Sequence, residues 1–367
     1  MAQQQQHKLS EVKSDLEGTK VQLRNVMNRI IDDRVGGEGT EALRVVRNRD
    51  PPKWTRVNSF WLYTLTDFQD GPLPVVPVLC YLAYACAVIS FCLYYLEPRG
   101  ELDTLKNEKP ELKDVASLIG LAVFLLLAFR NNSAYGRWWE GATRWYDCCG
   151  SVLNAARQVA AISPPDKAID LLWWLFSTLY CAKQQLRSSR RVADYSLLEE
   201  ALPPALWAEI ADRHDKFHWS LFRYGQLASK IDLPGKTEGK ACEEVMKCAN
   251  PILAAYTACW RLVRTPMPPA YLVHLRSFLL LWLAILPWAF SPTYKWWGVL
   301  LCAAIGWAVL GVEEAAVELE SCFGHDRNDL NMDEIAHDAF AMISEFILHA
   351  GFDEDGRSLS AKGEAMC

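Results

Sequence analysis

From residue 75 to residue 96 the chain runs for 22 residues without a charged side chain. As a helix this stretch is about 33 Å long, which matches the hydrocarbon core of a bilayer. Pro72 and Pro74 stand at its start, where missing N–H groups cost a helix little. A second apolar run, 115–129, is short for lipid. It passes without a breaker into the polar 130–150, so it predicts a helix that is apolar first and polar later. Residues 277–312 contain one charge, Lys295, and as a single helix would measure about 54 Å, too long to cross once. Ser291-Pro292-Thr293-Tyr294 is the expected turn, leaving helices near 270–290 and 295–320, with Trp288, Trp296 and Trp297 at the hairpin tip. Aromatic residues of that kind favour the membrane interface. The run 171–182 is apolar but only 12 residues long and is bounded by Asp170 and Lys183, so it reads as a buried core helix. Four spans in two pairs result. No long stretch alternates with period two, and the class is all-α.

Charge adds orientation. Arg44, Arg47, Arg49, Lys53 and Arg56 precede the first span, and Arg130, Arg137 and Arg144 follow the second. Arg261, Arg264 and Arg276 precede or open the third, with no acid between 251 and 276, whereas loop 97–114 has four basic and six acidic residues. The positive-inside rule places both termini and 130–269 on the cytoplasm-like side. The expected division is therefore an N-terminal cytosolic segment 1–72, the first two spans 73–146, a cytosolic helical region 147–267, two further spans 268–320 and a C-terminal cytosolic segment 321–367. Leu9, Val12 and Leu16 at helical spacing suggest a peripheral amphipathic helix in the first segment.

Composition narrows function by exclusion. A net charge of −6 argues against a general nucleic-acid binder. Twelve cysteines form neither a C-x-x-C pair nor a Cys/His quartet, so they read as buried reduced thiols. No phosphate loop, dinucleotide fingerprint, nucleophile elbow or HExxH helix occurs. His214 and His218 have metal-ligand spacing but no third ligand nearby, and read as a solvated face.

The densest polar signal is Phe129-Arg130-Asn131-Asn132-Ser133-Ala134-Tyr135-Gly136-Arg137-Trp138-Trp139-Glu140, with Arg130, Arg137 and Arg144 repeating every seven residues. Charges beside a membrane helix usually face a bundle interior or an aqueous cavity. A second motif is Ala258-Cys259-Trp260-Arg261 through Thr265-Pro266-Met267-Pro268 and Ala270-Tyr271. A third is Glu318-Leu319-Glu320-Ser321-Cys322-Phe323-Gly324, continuing to Asp326, Asn328, Asp329 and Asp333. In this order the motifs resemble the bestrophin-like ion channels, above all the branch of bacterial homologues and plant thylakoid chloride channels. Trp260 departs from a usual Glu, and Cys322 from a usual Pro.

The resemblance implies a homopentamer around a central pore, with four membrane helices per subunit and a helical cytosolic part. It also implies a hydrophobic neck at Leu121, Leu125 and Phe129. Their i, i+4, i+8 spacing forms one helical stripe, and five copies would stack apolar rings able to gate by dewetting. Arg130, Asn132, Arg137, Arg144, Glu318, Glu320, Asp326, Asn328 and Asp329 are the further motif or ion-path candidates. The acidic tail reads as capping and ion pairing with nearby Arg, or as oxygen ligands for calcium, which animal bestrophins bind there; no cofactor is the preferred reading. The expectation is a multi-pass protein of the plasma membrane or an organelle such as the thylakoid, surrounded by lipid and conducting chloride or other small anions. A cation-selective homologue and a membrane-bound enzyme are the alternatives.

Overall fold

A computed structural model describes residues 75–102, 111–187, 194–231, 238–324 and 329–350. The amphipathic stretch expected around Leu9, Val12 and Leu16 lies outside these residues. Eleven α-helices are described, with no strand among the described residues. Helix α1 is Val75–Phe91, extended by a π-turn, Cys92–Leu96, and a 3-10 turn, Glu97–Arg99. Gly100 ends it at φ 72°, a left-handed conformation that needs no Cβ. Helix α2 is Glu111–Ile162, 52 residues without interruption, about 78 Å long. Then come α3 (Pro165–Arg187), α4 (Ser196–Ala201), α5 (Pro204–Ala211), α6 (Lys216–Ala228), α7 (Glu238–Lys247) and α8 (Ala249–Arg264). Helices α9 (Pro269–Tyr294), α10 (Trp297–Glu320) and α11 (Met332–Ala350) complete the described residues.

Among the described residues, four helical stretches are long and apolar enough to cross a membrane: 75–99, 114–162, 269–294 and 297–320. They pack around one apolar cluster that includes Tyr81, Val123, Leu127, Leu279, Trp282 and Val309. Small residues set the closest approaches. A Cβ on Gly306 would lie 2.5 Å from the Tyr81 ring, and one on Gly120 would lie 3.0 Å from Trp282. Trp282 Nε1 also donates to the Ala116 carbonyl at 2.7 Å.

The hairpin between α9 and α10 turns later than Pro292. Helix α9 continues through Pro287 and Pro292 to Tyr294, and the chain reverses at Lys295, φ 49°. Pro292 cannot donate to the Trp288 carbonyl, but the Ser291 hydroxyl does, at 3.3 Å, so the helix survives its proline. Lys295 Nζ reaches Glu97 Oε1 at 2.5 Å, which puts this turn beside the end of α1. Tyr94, Trp296 and Trp297 are exposed around it.

A second, larger core lies beyond the apolar bundle. The lower half of α2 packs there with α3, α6, α8 and α11. Every residue from Leu171 to Ala182 is buried, so the short apolar run is the centre of this core. Ser177 and Thr178 enter it because their hydroxyls donate to the carbonyls four residues back, at 2.8 and 2.7 Å. Asp215 caps α6 by accepting from the His218 amide at 3.0 Å, and its carboxylate also meets the His218 ring at 2.7 Å. All eleven described cysteines are free thiols; Cys80 is exposed and Cys86 and Cys242 half-buried, unlike the fully buried set expected. Burial pushes the Cys181 thiol up to about 12.

Candidate functional site: the uncovered face of the second helix

Helix α2 has two opposite faces. From Asp114 to Ala161, one continuous series of residues spaced three or four apart, fourteen in all and passing through Tyr146, is exposed throughout. The stripe includes Leu118, Leu121 and Leu125, then Ala128, Asn132, Gly136 and Trp139. Its mean step matches the 3.6-residue repeat of a straight helix, so it runs nearly parallel to the axis. Leu121, Leu125 and Phe129 are 70%, 56% and 58% exposed, although each carries a bulky apolar side chain. Phe129 borders the stripe beside Ala128. Asn132, one turn on, is the first polar side chain of the stripe beyond the three. On the other face Val123, Leu127, Ala134, Trp145, Cys148 and Val152 are buried.

The three arginines stand away from the uncovered stripe. At 100° per residue, Arg130, Arg137 and Arg144 lie roughly 160°, 140° and 120° from its centre. Burial follows that drift: Arg130 is 0% exposed, Arg137 half-buried and Arg144 exposed. Arg130 is the hub of a polar cluster at the end of the bundle opposite Lys295. Its Nη2 donates to Glu320 Oε2 at 2.8 Å and its Nη1 to the Met267 sulfur at 2.9 Å. Glu320 Oε1 accepts from the Met267 amide at 2.9 Å, so this carboxylate also fixes the α8–α9 connection. Arg130 Nε and Glu313 Oε2, neither with a hydrogen bond, face each other at 3.7 Å. Arg276 Nε donates to Glu313 Oε1 at 2.8 Å. One cluster thus ties α2, α9, α10 and Met267 of the α8–α9 connection together, one position after Phe129.

Arg137 Nη2 donates to the Leu262 carbonyl at 2.9 Å, near the C-terminus of α8, where cations are favoured. Glu140 Oε1 accepts from Arg261 at 2.6 Å, a second link between α2 and α8. Arg144 pairs with Asp147 on its own helix at 3.2 Å. Glu318 is half-buried and its carbonyl accepts from Ser321 N at 3.2 Å. Asp329 is half-buried, while Asp326 and Asn328 lie outside the described residues. Among the described residues no group of three or more His, Cys, Asp or Glu side chains is placed to hold a metal ion.

Asp333 has a separate role. Lys183 Nζ and Arg187 Nη2 each reach one of its oxygens at 2.7 Å, in the interior of the larger core. Burial opposes ionisation of Asp333, but the charges of Lys183 and then Arg187 outweigh it and hold the carboxyl at about 2. This triad and the Met267 contacts were invisible in the sequence motifs. The one available signal was Lys183 closing an apolar run that proved to be core.

Comparison with known proteins decides the family. The description "Bacterial/Fungal Bestrophin protein" matches residues 53–345. The chain belongs to the bestrophin family. A voltage-dependent anion channel-forming protein of Synechocystis sp. is 27% identical over 307 residues, covering 82% of this chain and 94% of that relative. One from Mesorhizobium japonicum is 28% identical over 263 residues, covering 71% and 82%. The fold matches a bacterial bestrophin homologue from Klebsiella pneumoniae with TM-score 0.64 at 22% identity, over 74% of this chain and 98% of that one. As a bestrophin with four apolar helices, it is an integral membrane protein.

Proposed function

We propose that this bestrophin is one subunit of a homopentameric channel that conducts chloride or other small inorganic anions, and that Leu121, Leu125 and Phe129 line its narrowest part. The observation that carries this reading is the uncovered stripe of α2: three large apolar side chains exposed on a helix whose opposite face is fully packed. One subunit cannot enclose a path with a single such face, whereas five copies of α2 around an axis would cover it. Apolar rings present no ligand to an ion, so they act as a dewetting barrier. Support for anions comes from the relatives described as anion channel-forming. The core formed by α3, α6, α8 and α11 is the cytosolic part in this reading, and the Lys295 turn lies on the other side of the bilayer, as the basic residues before the first and third spans indicate. Arg130 and Arg137 act as anchors between helices rather than as ion contacts. Calcium has no assigned role.

Purified protein in liposomes should release chloride, and native mass measurement in detergent should give five copies. A monomer or dimer as the largest species would overturn the assembly. Replacing Leu121, Leu125 and Phe129 together by Ala should widen and wet the constriction, raising unitary conductance or leak about tenfold for each ~1.4 kcal/mol of barrier removed. Planar-bilayer recording checks this; unchanged currents in an assembled variant would return the three residues to a packing role.

A further inference from the structure

We propose that the uncovered stripe of α2 carries opposite fixed charges at its two ends, Asp114 and Arg157, and that these make the pore rectify. Positive charge passes more readily from the Asp114 end towards the Arg157 end than in reverse. The proposal rests on the pore reading above.

Between Asp114 and Ala161 the fourteen stripe positions contain only these two charged residues. They are 43 residues apart, about 65 Å along the helix, with the apolar neck between them. Arg157 Nη2 donates to Asn154 Oδ1 at 3.0 Å, a neutral partner on the same stripe that adds no opposing charge. Among the described residues no carboxylate is within ion-pair distance of Arg157, and no cation within ion-pair distance of Asp114. Asp147 borders the stripe, but Arg144 at 3.2 Å offsets it. The charges of Arg130 and Arg137 lie on the far side of the helix.

Fivefold repetition would give a carboxylate ring at one mouth and a guanidinium ring at the other. Fixed charge concentrates counter-ions and depletes co-ions over about one Debye length. Anions are then enriched at the Arg157 end and depleted at the Asp114 end, so they flow more readily from Arg157 to Asp114. Cations are distributed the other way and flow more readily from Asp114 to Arg157. Both flows carry current in the same direction. The sign of rectification is therefore independent of which ion the channel prefers, and this separates the proposal from the anion assignment.

Single-channel currents in symmetric salt at equal and opposite voltages test it. In about 0.1 M KCl the wild-type currents should differ about twofold between the two directions, and in about 1 M KCl, where the Debye length is ~3 Å, the ratio should approach one. Asp114→Asn with Arg157→Gln should bring it to one at low salt, and Arg157→Lys should preserve it. Arg157→Cys should lower the ratio, and an impermeant cationic thiol reagent should raise it again from one chamber only, the one towards which positive current flows more readily. Wild-type protein treated alike controls for exposed Cys80. A wild-type ratio of one at low salt, or a conducting double variant with the wild-type ratio, would overturn the charge polarity while leaving the pore intact. No current from wild-type protein would overturn the pore reading itself.

Discussion

Arg130→Met should destabilise the assembled protein by about 3–5 kcal/mol, the usual cost of stranding a buried charge. The methionine fills similar space, so lost packing is a minor part. What remains is Glu320, with its Oε2 stripped of a 2.8 Å partner, and Glu313, left with Arg276 alone. Two carboxylates then share a site shielded from water without the guanidinium between them. Arg130→Lys should recover only part of the loss, because one ammonium cannot meet Glu320, Glu313 and the Met267 sulfur with the reach of a planar fork. Adding Glu313→Gln and Glu320→Gln to Arg130→Met should restore most of it, since a neutral buried group costs less than an unpaired ion. Melting followed by size-exclusion of the detergent-solubilised oligomer reads the series. Equal stability of wild type and Arg130→Met would show that water reaches the cluster and that it holds nothing together.

Asp333→Asn should cost a similar amount, about 3–5 kcal/mol, at neutral pH, because Lys183 and Arg187 lose their shared counter-ion in the core. The damage should be local at first, loosening α11 from α3, and should appear as faster amide exchange across residues 332–347. The dependence on pH has a definite sign. The folded carboxyl, at about 2, is below the ordinary Asp value of about 4. The stability gained by ionising it is therefore complete above about pH 4 and is lost as pH falls through about 2. The difference between wild type and Asp333→Asn should be flat from neutral pH down to about 5 and close below 4. A difference that closes near pH 6 would assign the effect to another group.

The four spans were legible because an apolar stretch without charges has few soluble alternatives. The short run at 171–182 was legible for the converse reason, being too brief for lipid and closed by Asp170 and Lys183. The hairpin turn was placed four residues early because Pro292 normally ends a helix. The hydroxyl of Ser291 removes that penalty, and no periodicity records it. For the arginines, seven-residue spacing gave one side of α2 but not which side. Heptads drift by roughly 20° on a straight helix, and only the burial of Arg130 shows that the side faces inward. Their partners were harder still. Glu320 is 190 residues from Arg130 and Asp333 is 150 from Lys183, and a local pattern has no term for pairing at such distances. The acidic tail was conspicuous as a group, yet it divides between two clusters with different tasks.

Those separations also fix an order of events during synthesis. Arg130 and Lys183 leave the ribosome early, and the carboxylates that neutralise them come near the end of the chain. At ~5–20 residues per second, Arg130 waits about 10–40 s for Glu320, while the helix that carries it is already entering the bilayer. During that interval the nascent subunit holds two unpaired cations destined for its interior. A chain that stops before Glu313 never neutralises either, so premature termination leaves a product with stranded charge in both its membrane bundle and its larger core.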